Sequence, residues 1–325
     1  MLPTPQSELA AILTGAAIAP LDDRAFLRIA GTDASRWLNG MVTNSIQSLA
    51  PGEGNYNFLL NAQGRIQGDC TLYRDTEAEE FLLETGRTQV AAIQQHLDRF
   101  IIMDDVELLP IMDDQRALVL TGPRVADRLA ALSLPAPTAL HMARAIYSGQ
   151  PILVLAPPAP LVPRYEIWAT PETIANLRTA LETAAVAPVS LEALENLRLL
   201  EGRPRFGQDI RDRHLAQETS QTHALHFSKG CYLGQEIVER IRSRGQVHRT
   251  FSGFRLSALP ATLPTPLTLD GKPAGELTSA AILPLPEGEI PFALGYIHRE
   301  ALDRNAPLAF DGGAAIPMTL PFHPS

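Results

Sequence analysis

The stretch HFSKGCYLGQEIVERIRSRG, His226 to Gly245, concentrates the scarcest residues of this 325-residue chain. Of 27 basic residues only two are lysines; one of them, Lys229, stands two positions before Cys231, which is one of two cysteines. Gly230 and Gly234 bracket the thiol, Gln235 and Glu236 follow, and arginines close the stretch. Leu233, Ile237 and Ile241 recur at helical spacing with Glu236 and Arg240 at i,i+4, which predicts a helix over LGQEIVERIRSR with Cys231 just before its first turn. A helix N-terminus and a nearby ammonium both favour thiolate, so an activated thiol is expected. The glycines permit close backbone approach that a side chain blocks. Taken alone, Cys231 reads equally as an inert packing residue. A Cys–His hydrolase is a third reading, with His214, His223, His226 or His248 as base, and spacing selects none of them.

Outward from this stretch the charge is focused. The chain has a net charge of -9, yet between Arg198 and Arg249 nine arginines and Lys229 face six acids. An acidic protein with one basic belt suits a single anionic ligand or an acidic partner surface, and no stable nucleic-acid binding is expected; a solvated arginine-rich surface gives the same count. The composition, 45% hydrophobic and 19% charged, is that of a globular protein, and the length predicts two or three domains. The most apolar region, PILVLAPPAPLVP, is cut by prolines, so no membrane span is expected. LAAILTGAAIAPL has no preceding lysine or arginine to make it a secretory signal, and a cytoplasmic protein is expected. Two cysteines are too few for a disulfide framework or a four-thiolate metal site, so no resident metal is expected and any cluster held here needs outside ligands. No glycine-rich nucleotide fingerprint follows a strand, which excludes dinucleotide and P-loop sites.

Periodicity and turn chemistry predict an α+β chain. RAFLRIAG reads as a strand, after which Asp33 can cap a short helix carrying Trp37, Leu38 and Met41. NYNFLLN, GDCTLYR and EFLLET read as a meander with NAQG as its first turn. Thr88 can cap a helix with Val90, Ile93, Leu97 and Phe100 on one face, followed by a strand over IIMDDVELLP. RALVLTG, a helix from Pro123 to Leu132, PILVLA, RYEIWAT and a helix capped by Thr170 follow. Ser190 opens a helix with Leu191, Leu194 and Leu197 inward, ending at Gly202. Beyond about Gln246, short apolar segments broken by Asp-Gly turns and prolines predict a small antiparallel barrel or sandwich, which leaves the cysteine stretch at a junction between domains.

The run KGCYLGQEIVERIRSRG resembles the signature of the YgfZ family of folate-binding proteins, relatives of the glycine-cleavage T-protein. LENLRLLEGRPRFGQDI, RYEIW, GTDASRWLNGMVTNSI and GEGNYNFLLNAQGRI are similar to further segments of that family, so the likeness covers nearly the whole chain. The resemblance implies a T-protein-like multi-lobed folate-binding fold with a C-terminal antiparallel β-barrel: a discontinuous folate-binding lobe over 1–50 and 115–245, an inserted lobe over 51–114, and the barrel over 246–325. It implies tetrahydrofolate or another reduced folate as cofactor. Glu166, in RYEIW, is expected to grip the pterin, because a carboxylate accepts from adjacent pterin N–H donors. Arg198 and the belt, with Tyr232, Gln235, Glu236 and Arg240, are expected around the rest of the folate.

One departure bears on activity. The T-protein has two aspartates after its Gly-Gly-Ile turn, whereas GRIQGDC has Gly68 in the first place and retains only Asp69. The expectation is therefore an accessory protein for assembly or repair of iron-sulfur enzymes, tRNA-modifying ones included, with Cys231 as working thiol, Lys229 as its neighbour, and iron-sulfur client or assembly proteins as partners. A one-carbon transferase using Asp69 and a folate-sensing interaction module with a structural thiol are the alternatives.

Overall fold

The computed structural model describes residues 4–111, 115–245, 247–286, 288–304 and 306–324, without the side chain of Arg244. It contains three β-structures. A six-stranded sheet takes β1 (Ala17–Pro20), β7 (Arg116–Thr121), β8 (His141–Tyr147), β9 (Gln150–Ala156), β10 (Arg164–Ala169) and β11 (Ala187–Pro188) in the order β11-β1-β7-β10-β9-β8. A five-stranded sheet takes β2 (Arg24–Ala30), β3 (Gly54–Leu60), β4 (Ile66–Arg74), β5 (Phe81–Gly86) and β6 (Glu107–Ile111) in the order β3-β4-β5-β2-β6. A closed barrel runs β12 (Arg249–Leu256), β15 (Gly288–His298), β14 (Lys272–Leu285), β13 (Thr265–Leu269), β16 (Leu308–Phe310) and β17 (Gly313–Met318). The helices are α1 (Pro5–Thr14), α2 (Ala34–Asn39), α3 (Val90–Asp98), α4 (Val125–Ala131), α5 (Pro171–Thr183), α6 (Leu191–Glu201), α7 (Gln235–Arg244) and α8 (Arg299–Arg304). None of them is long and apolar enough to cross a membrane.

The local chemistry explains most elements. Thr170 and Ser190 accept from the backbone N–H groups of Thr173 and Ala193, capping α5 and α6, and Gly202 ends α6 at a φ of 67°. Leu191 was expected inward but is 63% exposed; Ala193, Leu197 and Leu200 set the buried stripe, and Leu191 at the first position lies off it. The strand expected over IIMDDVELLP is shorter, because Asp105 bonds Thr32 through its carboxylate and donates its N–H to Asp33 at 3.0 Å. That contact also takes the Asp33 carboxylate, which makes no cap bond to α2.

The division of the chain differs from the expectation for 1–50. Strand β2 pairs with β5 and β6, so residues 24–30 join the five-stranded sheet, while residues 39–44 also bond the segment 224–233. The reason lies in its two apolar faces: Leu27 and Ile29 pack with Trp37, Cys70 and Leu97, while Phe26 turns toward the other sheet and meets Trp168 at 4.4 Å between ring centroids. The expected lobe boundary at 114 and the barrel start at 246 lie outside the described residues. The two sheets thus face each other across a shared core that includes Phe26, Tyr73, Val119 and Trp168.

Candidate functional site: the seam between the sheets

Polar groups interrupt this shared core where β10, β2 and β5 approach. Arg164 and Glu166 point the same way from β10, as residues two apart in a strand must. Both Nε and Nη2 of Arg164 donate to one oxygen, Glu166 Oε1, at 3.2 and 2.8 Å. Glu166 is 3% exposed, and its other oxygen, Oε2, has no partner among the described residues. Across the seam, Arg24 holds Glu84 through Nε and, at 2.5 Å, through Nη2. Burial, with the Glu166 carboxylate close by, pushes the Glu84 carboxyl up against the opposing pull of Arg24. The buried Tyr73 hydroxyl also lacks a partner among the described residues. A buried carboxylate oxygen without a donor is costly, so the seam fits a ligand that brings N–H groups, as a pterin does.

Asp69 lies at the same seam. Its oxygens accept from the Tyr56 hydroxyl at 2.7 Å and the Gln89 amide at 2.9 Å. Strand alternation turns position 68 the other way: a Cβ on Gly68 comes to 3.0 Å from Ile93 Cγ1 on α3. The absence of an acid at 68 therefore leaves the seam's own carboxylate in place. The Tyr56 ring lies 5.4 Å from that of His223, whose pKa burial pushes down. His223 lines a cleft of about 350 Å³ together with Glu201, Gln221 and Leu320, and Glu201 Oε1 there is a second buried acceptor without a partner among the described residues.

Arg198, expected to receive a folate tail, is committed elsewhere. Nε donates to Glu195 at 2.9 Å, Nη1 to the Arg203 carbonyl at 2.6 Å and Asp209 at 2.7 Å, and Nη2 to Glu195 at 2.7 Å and Ser279 at 2.9 Å. A guanidinium has five N–H donors, and these five bonds use them all. Arg198 therefore joins α6 to the barrel. Much of the basic belt does similar work: Arg211, Arg213 and Arg249 converge on Glu276 of the barrel.

The cysteine stretch is an anchored ridge. The ammonium of Lys229 donates to the carbonyls of Asn39, Val42 and Asn44 at 2.6, 2.8 and 2.6 Å, which fills its three donor positions. Burial pulls its pKa down to about 7, while all three carbonyls favour the charged form. Lys229 thus pins the segment, reinforced by Leu233 N–H donating to the Gly40 carbonyl at 3.0 Å. Gly234 precedes α7 at a φ of 84°, and a Cβ there comes to 2.6 Å from the Asn61 carbonyl oxygen; the signature glycine allows α7 to dock on the β3–β4 turn. Cys231 is exposed at the crest, whereas Cys70 is buried in β4, with burial pushing its thiol well up. Among the described residues no group of three or more His, Cys, Asp or Glu could hold a metal ion.

The remaining expected folate contacts separate from the seam. Tyr232 is buried in a core with Phe58, Ile66 and Val238, and burial pushes its hydroxyl up to about 12. Gln235, Glu236 and Arg240 sit on α7, and none of them lines the cleft beside His223. Conversely, Arg24, Tyr56, Tyr73, Glu84 and Glu201 were not singled out in the sequence. Glu84 had a signal, since an acid inside the apolar run FLLET needs a buried partner.

Known proteins with similar features bracket this arrangement. The family model for the GCVT N-terminal domain matches residues 2–229. A mitochondrial protein of Pyricularia oryzae, called an iron-sulfur cluster assembly factor IBA57 homolog, is 29% identical over 240 residues, covering 72% of this chain and 56% of its own length. A putative chloroplast transferase of Arabidopsis thaliana is 25% identical over 292 residues, covering 88% and 66%. An aminomethyltransferase of Rippkaea orientalis is 26% identical over 307 residues, covering 86% and 77%. This chain thus spans less than two thirds of the first two relatives. The crystal structure of the glycine cleavage system aminomethyltransferase T from Bartonella henselae superposes with a TM-score of 0.85 over 98% of this chain and 89% of that one, at 20% identity, which shows the same fold.

Proposed function

Because this chain belongs to the GCVT N-terminal domain family, we propose that it binds tetrahydrofolate or another reduced folate at the seam and serves, in the cytoplasm, the assembly or repair of iron-sulfur enzymes, tRNA-modifying ones included. The observation that carries the ligand is Glu166 Oε2, buried and lacking a donor beside an ion-paired Oε1. Glu166 would accept from the pterin N–H groups, and Arg164 would keep that carboxylate oriented. Reduced folate, when bound, supplies one-carbon chemistry.

The relative named as an iron-sulfur cluster assembly factor supports the assembly role, and the exposure of Cys231 supports its use as the working group. A thiol on an anchored, exposed ridge can meet a partner protein without disturbing the seam. A cluster passing there would take its other ligands from that partner, since Cys70 is buried. The test is a deletion strain assayed for iron-sulfur enzyme activities: rescue by the unaltered protein and failure of Cys231→Ala at equal abundance supports the reading, and full rescue by Cys231→Ala removes the thiol from it.

Asp69 favours one second reading, a folate-dependent one-carbon transferase. Its carboxylate faces the seam, where a placed acid-base group could act. Both oxygens already accept a hydrogen bond, however, which sets it apart from a free base. One-carbon turnover abolished by Asp69→Asn would establish this second reading.

A further inference from the structure

Outside the seam, the loop 211–218 meets the barrel in a second charged cluster. Arg213 pairs with Glu276 at 2.7 Å, and Arg211 and Arg249 reach the same carboxylate at 3.5 Å each. Arg249 also pairs with Glu218 at 3.1 Å, and Arg65 donates to the Arg213 carbonyl. Three guanidiniums therefore share two carboxylates, and the fourth, Arg65, spends its donor on a backbone carbonyl. Asp212 beside them is exposed and pairs with none of them among the described residues.

Two buried donors stand in this excess of positive charge. His214 is fully buried and its Nδ1 accepts from the Arg211 N–H at 3.0 Å, so the ring proton is on Nε2, which has no partner among the described residues. Burial first, and then the charges of Arg249, Arg213, Arg211 and Arg65, push its pKa down to about 3, which keeps it neutral. Its ring lies 4.4 Å from that of Tyr296, also fully buried, whose hydroxyl has no partner among the described residues. Tyr296 in turn lines a cavity of about 230 Å³ with Arg213, Arg249, Glu276 and His298, and Pro266 on an apolar wall; His214 stands behind the Tyr296 ring. Internal ion pairing alone explains the clamp on Glu276. It leaves the surplus cations, the unpartnered donors and the cavity unexplained.

From these juxtaposed groups we infer that the cavity between the barrel and the loop 211–218 binds a small organic dianion, a phosphomonoester or a short dicarboxylate. Guanidinium forks match the paired oxygens of either group, and the proline and tyrosine surfaces accommodate a short carbon skeleton. The site is independent of the folate reading, since none of its residues belongs to the seam.

The test is calorimetric titration of the full chain at low salt, where charge-assisted binding is least screened, with inorganic phosphate, glycerol phosphate and succinate in separate runs. At least one should bind with 1:1 stoichiometry. Arg213→Gln, at a half-exposed position where Arg211 and Arg249 still hold Glu276, should weaken it tenfold or more; Tyr296→Phe should weaken it several-fold; and Glu166→Gln should leave it unchanged. A response to glycerol phosphate without succinate assigns a phosphoester, and the reverse assigns a dicarboxylate. No heat from any of the three, or binding that both Arg213→Gln and Tyr296→Phe leave unaltered, overturns the inference.

Discussion

Arg164 uses both Nε and Nη2 on the same oxygen of Glu166, at 3.2 and 2.8 Å, and leaves the second oxygen buried and unmet. An ion pair built only for stability would use both oxygens in parallel, the stronger and more specific arrangement. The one-sided pairing orients the carboxylate and keeps one face for another donor.

Arg198 is expected to behave as structure rather than as a folate contact. Arg198→Ala strands Asp209, which is fully buried, and should lower stability by about 3–5 kcal/mol. Chemical unfolding checks this. A folded Arg198→Ala protein of unchanged stability and much weaker folate binding would restore the ligand role.

An acid restored at position 68 should not create a transferase. The Cβ of Gly68→Asp meets Ile93, so its carboxylate would be forced against α3, costing about 1–3 kcal/mol, while the seam remains as it is. Urea unfolding, together with a one-carbon transfer assay on the same protein, tests both halves.

Gly234→Ala should loosen the cysteine ridge. A side chain there is strained at a φ of 84° and collides with the Asn61 carbonyl and Leu60, so we expect a loss of more than about 1 kcal/mol and faster proteolysis near Cys231. Limited proteolysis with mass spectrometry reads it; an unchanged cleavage pattern contradicts the anchored ridge.

His214 should make the fold sensitive to acid. Its folded pKa of about 3 lies below the ordinary value of 6.5, so between these the unfolded chain binds the extra proton. Stability is then complete above about pH 6.5 and is lost as pH falls toward 3, with a slope from this residue of at most about 1.4 kcal/mol per pH unit. In His214→Asn, whose amide oxygen can still accept from the Arg211 N–H, that slope should disappear from unfolding curves measured across this range.

The sequence disclosed the elements better than their partnerships. Turn and cap residues marked β3, β4, α5 and α6 because those signals are local: Gly64, Thr170, Ser190 and Gly202 act within a few positions of themselves. The sheet that β2 joins was not legible, since RAFLRIA is apolar on both faces and its neighbours come from residues 81–86 and 107–111. Glu166 was legible only through RYEIW and its family likeness. Its meeting with Arg24 and Glu84 depends on how two sheets oppose each other, which no spacing encodes. Lys229 was legible as unusual, but the hold of its ammonium on the 39–44 loop was not, because those carbonyls lie some 185 to 190 positions away in the chain.

If Glu166 holds a reduced folate at the seam, calorimetric titration of tetrahydrofolate into the unaltered protein and into Glu166→Gln will show it. The substitution keeps size and removes the charge, forfeiting charge-assisted hydrogen bonds of about 1.5–3 kcal/mol. Saturable 1:1 binding to the unaltered protein and roughly 10- to 100-fold weaker binding to a folded Glu166→Gln protein are expected. Equal affinity in the two proteins, or no binding to either, would contradict it.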